Sequence, residues 1–543
     1  MKTLAIAVVA FCLTSCGQTQ APIERPLNFL IIMADDMAYT DMGAFGGEIK
    51  TPNLDQLAYE GVRLTHFHTA PSCAPTRAML LTGTDNHLVG LGSQGGLVTP
   101  AQAKLPGYGN ALLPEYPTIA EMLKAAGYQT FASAKWHVGS KPEALPKARG
   151  FDRSFVLLEG GAGHLDDTPM FSHYNASWLE DDQPVALPEH FYSTDEMTNR
   201  LISYLEGKDQ DAPFFAYLAF TAPHWPLQAL PEDIDKYAQI YGEGWHQLHR
   251  TRLTGAKESG VIASDVQGVP WEPGVPDWTS LSAQEQQLQT KTMQVYAAMI
   301  DRLDQNVGKL IQFLKAQGEY EDTVIVFLSD NGAEAHMMEI PANRQGWVDE
   351  NFDNTLENLG TARSYITLGP GWARATAAPF RDSKSKISEG GIRVPAFVNL
   401  PAHRLDQIRG RVDHSYHRVM DLAPTLLDAA SADVSIPNYP DAFKTGRSQW
   451  HRWTGGPPAY ADDDIVAAEL YGRRMARQGR WKVLLQEAPY GTGQWQLYDL
   501  GTDPGEQVDL SDEFPEVKRR LVEAWQNYAV EVGVLLPEEA PWY

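Results

Sequence analysis

Four short apolar runs, at residues 28–33, 129–134, 214–220 and 323–329, each break off into polar residues, and helix-patterned stretches lie between them. Runs of that length without alternation read as strands buried on both faces, and strands that alternate with helices close into a mostly parallel sheet covered on both sides. Ligands of such sheets gather outside the carboxyl ends of the strands. Those ends here carry Asp35-Asp36, Lys135-Trp136-His137, His224 and Asp330-Asn331-Gly332. The chemistry is therefore expected there. Thr51-Pro52 opens a helix over 53–59 with proline at its first position, 118–126 and 420–430 read as further helices, 285–317 as one or two, and 393–398 as a strand. After about residue 436 the pattern changes to short strands at 473–477, 481–485 and 495–499 and a helix from Pro515 to about Val532, a smaller antiparallel unit. Stretches 161–200, 228–283 and 336–379 are rich in Trp, Pro and Gly without clear periodicity, and long loops of that kind are commonly functional.

A chain of 543 residues, 43% hydrophobic, holds one large domain and a smaller second one. Its formal net charge of -25 argues against sequence-independent nucleic-acid binding, which needs clustered Lys and Arg. An anionic substrate must be held by local cations or a metal. The N-terminus, MKTLAIAVVAFCLTSCGQTQA, has Lys2 followed by an apolar run at 4–13 too short to span a bilayer, and reads as a secretory signal. Leu13-Thr14-Ser15-Cys16-Gly17 resembles a bacterial lipobox, with cleavage before a lipidated Cys16; Gly17 in place of Asp implies passage to the outer membrane. The expectation is an exported protein, periplasmic or an outer-membrane lipoprotein of a Gram-negative bacterium, divided into a signal (1–16), a tether (17–26), a catalytic domain (27–435) and a C-terminal subdomain (436–543). Cys12 leaves with the signal and Cys16 carries lipid, so Cys73 is the one cysteine left in the folded body and no internal disulfide forms.

Taken one at a time, the candidate groups have ordinary readings. Asp35-Asp36 suits a solvated turn or cap, and Asp-Asn-Gly suits a tight turn. If they converge, three carboxylates and an amide oxygen suit Ca2+, less comfortably Mg2+, and not zinc. Strand alternation places Lys135 and His137 on one face with Trp136 on the other. His224 is held between Pro223 and Pro226, and Lys384 precedes Glu389-Gly390-Gly391.

The stretch SCAPTRAMLLTG, residues 72–83, decides between these readings. Cys73-x-Pro75-x-Arg77 followed by Thr82-Gly83 resembles the signature of the type I sulfatases, whose cysteine is oxidised after synthesis to Cα-formylglycine (3-oxoalanine). Five fixed residues match a given start by chance on the order of once in a million. The resemblance covers nearly the whole chain after residue 27, and Tyr471-Gly472-Arg473-Arg474 with Trp495-Gln496-Leu497-Tyr498-Asp499-Leu500 is similar to bacterial arylsulfatases of the Pseudomonas type.

The resemblance implies an α/β fold, an alkaline-phosphatase-like α/β/α sandwich with a large mostly parallel sheet, plus a smaller C-terminal antiparallel sheet with a helix. It implies one Ca2+ held by Asp35, Asp36, Asp330 and Asn331 beside residue 73, with Cys73 converted to the nucleophile. Arg77, Lys135 and His137 then position and stabilise the hydrated aldehyde, while His224 and Lys384 contact the sulfate and protonate the leaving oxygen. Lys384 stands in Arg381-Asp382-Ser383-Lys384, a departure from the common Gly-Gly-Lys spelling, with Lys386 close by. The implied partners are a small-molecule or glycan sulfate ester and a formylglycine-generating or anaerobic sulfatase-maturating enzyme. The expected reaction is hydrolysis of sulfate monoesters to sulfate and an alcohol or phenol. Competing readings are a phosphonate or phosphodiester hydrolase, a sulfatase specific for algal or host glycans, and a lipoprotein that binds sulfated glycans while keeping its thiol.

Overall fold

The run at residues 28–33 becomes the middle of the sheet because both of its faces are apolar. Leu30 and Ile32 enter one core, and Phe29, Ile31 and Met33 enter the other. The computed structural model describes residues 26–171, 175–271, 274–336, 342–402, 408–431, 445–488 and 491–539, without the side chains of 342–345. The signal and lipobox, with Cys12 and Cys16, and the expected division at 435/436 lie outside these residues.

Strands β1 (Asn28–Ala34), β2 (Val62–His68), β3 (Gln129–Lys135), β4 (Arg153–Leu157), β5 (Trp178–Glu180), β6 (Gln183–Pro184), β7 (Phe214–Ala219), β8 (Thr323–Ser329), β9 (Ala396–Asn399) and β10 (Arg411–Arg418) form one ten-stranded sheet. Their order is β10-β2-β9-β8-β1-β7-β3-β4-β5-β6. The pairs β8-β1, β1-β7, β7-β3 and β3-β4 are parallel, as the alternation with helices requires. Register then places the functional ends side by side: Ala34 pairs with Ser329, Met33 with Ala219, and Ala134 with Ala219. The next residues of all four strands emerge at one edge.

The helix Cys73–Thr82 follows β2 and is closed by Gly83 in a left-handed conformation (φ 60°), which glycine adopts without steric cost. The stretch read as one or two helices is a single 35-residue helix, Ala283–Gln317, opened by a Ser282/Glu285 capping box and ended by Gly318. Strands β11 (Ile465–Leu470), β12 (Arg473–Gln478), β13 (Trp481–Leu485) and β14 (Gln496–Asp499) form a separate antiparallel meander. The helix Pro515–Val532 covers it through Leu521 and Trp525, which pack on Ala467, Ala476, Val483 and Leu497.

Several expectations shift. The strand read at 393–398 is β9, which starts later and runs antiparallel to both neighbours. The chain reaches it through the short helix Glu389–Ile392 rather than a full crossover. The helix read at 420–430 begins as a 3-10 turn, Val419–Asp421, and continues as Leu422–Ala429. The stretches read as loops contain helices, among them Ser193–Glu206 and Gly244–Glu258. The second escaped notice because its buried face mixes Trp245, Leu248 and Ala256 with His249 and Arg252. Among the described residues no helix is long and apolar enough to cross a membrane.

Candidate active site

Past its last paired residue, β1 turns sharply. Asp36 takes a positive φ of 69°, a conformation Asp tolerates better than most side chains. Asp35 N–H donates to the Ala222 carbonyl at 3.0 Å and Asp330 N–H to the Ala34 carbonyl at 3.1 Å, so the ends of β7 and β8 are laced to that of β1. Both carboxylates of Asp35-Asp36 are buried. Lys135 Nζ lies 2.6 Å from Asp35 Oδ2. Lys384 Nζ lies 2.8 Å from Asp36 Oδ1, and Asn331 Nδ2 donates to the same Asp36 oxygen at 2.6 Å.

Cys73 is the first residue of its helix and is buried, with Sγ 3.4 Å from Asp35 Oδ1 and 3.8 Å from Asp36 Oδ1. One turn on, Arg77 donates from Nε and Nη2 to Asp330 Oδ2 at 3.1 and 2.7 Å and from Nη1 to the Lys135 carbonyl at 2.6 Å. A fully buried guanidinium thus locks the helix of Cys73 to β8 and β3. Only arginine supplies that fan of donors.

The histidines flank this cluster. His137 does not continue the alternation of β3. The strand ends at Lys135, Trp136 turns into the core to donate to the Ala144 carbonyl at 2.9 Å, and His137 has φ 54°. Burial, with Lys135, Arg77 and Lys384 nearby, holds His137 well below the usual histidine range. His224 Nδ1 bonds the Trp225 carbonyl at 2.6 Å, which leaves Nε2 facing Asp36 Oδ2 at 3.7 Å. Burial, then Lys384 and Lys135, keeps this ring well below its usual pKa as well. The backbone at Gly160-Gly161 lies against both rings: a Cβ on Gly160 would sit 2.7 Å from His137 Cε1, and one on Gly161 3.1 Å from His224 Nδ1.

Comparison with known proteins bears on this arrangement. Residues 27–432 match the family described as Sulfatase. An uncharacterized sulfatase of Schizosaccharomyces pombe is 39% identical over 95% of this chain and 95% of its own, and an arylsulfatase of Klebsiella aerogenes is 36% identical over 80% of this chain and 92% of its own. The chain belongs to the sulfatase family. It is a sulfuric ester hydrolase, and its family works with a formylglycine and a divalent metal. The solved structure of Ps i-CgsB in complex with k-i-k-neocarrahexaose shares the fold, with a TM-score of 0.66 over 93% of each chain at 24% identity.

The donor set of this sulfatase fits such a metal. Asp35 is raised to about 8 by burial and by Asp330 beside it, and Asp36 is raised mainly by burial, so one ammonium group apiece, Lys135 and Lys384, does not offset what burial and the neighbouring acids impose. Among the described residues Asn331 Oδ1 is buried without a hydrogen-bond partner, as an oxygen reserved for a cation would be. The atoms that converge are those of Asp35, Asp36, Cys73 and His224, all within 4.8 Å of one another. Asp330 stands beside these atoms with other bonds of its own: its Oδ2 accepts from Arg77, and its Oδ1 accepts from Asp36 N–H at 3.2 Å. Arg77, Lys135 and Lys384 outweigh the effect of burial and hold Asp330 below its usual pKa.

The structure thus brings together Asp35, Asp36, Cys73, Arg77, Lys135, His137, His224, Asp330, Asn331 and Lys384. Sequence reasoning missed Glu334, buried 3.4 Å from Lys384 Nζ and paired with His336. Its signal was position, one turn of chain beyond Asp330-Asn331-Gly332. It also missed Gly160-Gly161 and Tyr471, whose hydroxyl donates to Ser72 at 3.2 Å. Of the tryptophans in the stretches read as loops, Trp245, Trp278 and Trp372 pack on one another at 4.9 to 5.6 Å inside the core. Trp225 stacks on His224 at 5.2 Å, and Trp347 meets Tyr365 at 5.4 Å.

Proposed function

We propose that this sulfatase hydrolyses monoesters of aryl or small neutral alcohols, with residue 73 carried as formylglycine and one Ca2+ held by Asp35, Asp36, Asp330 and Asn331. The observation that carries this reading is the placement of Cys73 Sγ against two buried carboxylates, at 3.4 and 3.8 Å. Burial and the nearby Asp330 push that thiol well above its usual pKa, which makes it a poor nucleophile. Sulfur is also the one soft donor in a set of hard oxygens, and an oxygen in its place gives a set suited to Ca2+.

The hydrated aldehyde supplies a hydroxyl nucleophile and, once the ester has broken, a way back to the carbonyl without attack of water on anionic sulfur. The ion supplies fixed positive charge for the sulfate oxygens. Around them the chain's own groups act by position. Arg77 holds Asp330 and the Lys135 carbonyl rigid, so Asp330 Oδ1 stays at the cluster to accept the nucleophile's proton. Lys135 and Lys384 present ammonium groups to the anionic ester. His224 is neutral by burial in the free site. The incoming sulfate adds negative charge that favours its imidazolium, and Nε2, freed by the Nδ1 bond to Trp225, then gives its proton to the leaving oxygen. His137, poised on Gly160, is the base for the return step.

Two features support a small acceptor. Trp225 stacks on His224 and meets Phe171 and Tyr365 edge-on at 5.6 and 6.0 Å, an aromatic wall beside the leaving-group proton. A cavity of about 620 Å³ is lined by Trp347 and Phe352 and by Glu350, Asp353 and Arg363, and with Arg363 paired to Asp353 at 3.5 Å its charged lining offers no excess of cations to a polyanionic chain. Export through the N-terminal signal, with Cys16 as lipid anchor, and maturation by a formylglycine-generating or anaerobic sulfatase-maturating enzyme complete the proposal. Sulfate release by mature, Ca2+-loaded enzyme from nitrophenyl sulfate and carbohydrate sulfates, and nitrophenol release from the matching nitrophenyl phosphodiester, test it. Aryl sulfate should give the highest kcat/KM; a faster phosphodiester or glycan sulfate would overturn the substrate class.

A further inference from the structure

Tyr471 reaches the active site from the small C-terminal sheet. It stands at the tip of the β11-β12 hairpin, where Leu470 pairs with Arg473 and both intervening residues, Tyr471 (φ 60°) and Gly472 (φ 85°), take left-handed backbone. A two-residue turn of this kind favours Asn-Gly or Asp-Gly, and a bulky aromatic at its first place is rare. The tip is clamped in that shape. Gly472 N–H donates to Glu469 Oε1 at 2.6 Å, Glu469 Oε2 lies 2.8 Å from His87 Nε2, and His87 Nδ1 lies 3.1 Å from Asp85 Oδ1. Asp85 and His87 lie just beyond the end of the nucleophile helix at Thr82. The clamp therefore ties the hairpin to the segment that carries Cys73.

At the other end of that helix the tyrosine makes its own contact. Its phenol donates to Ser72 Oγ at 3.2 Å, and the Ser72 hydroxyl donates onward to Gln94 Oε1 at 2.7 Å. Ser72 occupies the N-cap position yet makes no side-chain cap bond. The third helical residue is Pro75, which has no N–H to offer a cap. The serine hydroxyl is thus diverted from its usual role to a tyrosine about 400 positions away in the chain. The next hairpin residue, Arg473, donates to the Ser385 carbonyl, and Ser385 N–H donates to the Pro71 carbonyl at 2.6 Å. One hairpin tip therefore grips the chain neighbours of both Cys73 and Lys384.

We propose that Tyr471 is a positioning residue: acting through Ser72, its hydroxyl fixes the first turn of the nucleophile helix and so the angle at which residue 73 meets the ester. The proposal rests on the sulfate-ester reading above. Its test compares wild type, Tyr471→Phe, Ser72→Ala and the double variant, each matured in a host with a formylglycine system. Rates are normalised to the aldehyde fraction at residue 73 found by peptide mass. Loss of one hydrogen bond should lower kcat about tenfold in Tyr471→Phe while KM moves less than about twofold. The double variant should be no slower than the slower single one, because both lesions lie on one path. Tyr471→Asn suits the left-handed backbone and keeps the fold, yet it too should lose kcat. Unchanged kcat in Tyr471→Phe, recovery in Tyr471→Asn, or losses that multiply in the double variant overturn the role alone. Fully converted wild type that releases sulfate from no ester overturns role and activity together.

Discussion

Stripping the divalent ion from this sulfatase should leave its carboxylate cluster about one proton richer. Four buried acids, Asp35, Asp36, Asp330 and Glu334, face three buried cations, Arg77, Lys135 and Lys384. Burial keeps His137 and His224 neutral, so, counted without the His336 that pairs with Glu334, the ion-free site carries one negative charge in excess. That excess titrates on the Asp35-Asp36 pair, where burial raises both carboxyls and, with the adjacent Asp330, takes Asp35 to about 8. At pH 7 roughly nine in ten ion-free molecules then hold this proton, and binding Ca2+ must expel it. Calorimetric titration of ion-free enzyme with Ca2+ in two buffers of different ionisation enthalpy should show about one proton released per ion near pH 7. Apparent affinity should rise about tenfold per pH unit from roughly 6 toward 8 and then level off. The same proton sets a stability slope. The folded pKa lies above the ordinary aspartate value of 3.8, so the folded ion-free protein keeps a proton that the unfolded chain gives up. Its contribution is complete below about 4, falls by about 1.4 kcal/mol per pH unit, and is lost above about 8. Saturating Ca2+ should remove the slope. Proton release near zero together with an affinity flat between pH 6 and 8 would refute the charge count.

Other perturbations separate packing from chemistry. Gly160→Ala forces a methyl to within 2.7 Å of His137; kcat should fall at least about tenfold while circular dichroism stays that of the wild type. Arg77→Ala strands the Asp330 carboxylate and the Lys135 carbonyl in the interior and should cost about 3–5 kcal/mol, seen as a lowered denaturation midpoint. Lys482 bridges Glu389 and Glu506 at 2.8 and 2.7 Å between the C-terminal sheet and the segment that carries Lys384. Lys482→Met should cost a similar amount by the same measurement and lower activity with it.

The parts of this molecule legible in sequence are those where one residue type has one use. Apolar runs such as that of β1 gave themselves away because both faces are buried, and the helix Pro515–Val532 because its proline and glycine mark both ends. Strands β2 and β10 were hidden: VRLTHFH and RVDHSYHR carry histidines and arginines whose partners come from distant chain segments, as when His68 meets Glu389 at 3.1 Å. The groups that the fold gathers at the cluster were readable from strand ends plus the Cys73 signature. His137 lies at the cluster for another reason than the one read from alternation, since its left-handed backbone breaks the strand first. Tyr471 and Glu334 were unreadable because their roles depend on pairings, β11 with β12 and Lys384 with the end of β8, that no local pattern announces.

Turnover by this sulfatase should require an aldehyde at residue 73, and titrating one against the other shows whether it does. Preparations matured to different extents are digested, the peptide spanning Cys73 is weighed to give the converted fraction, and sulfate release is measured on the same samples. Sulfate release should rise with the converted fraction in a straight line through the origin, with Cys73→Ala at zero. Undiminished turnover from enzyme whose residue 73 is wholly thiol, or from Cys73→Ala, would contradict it.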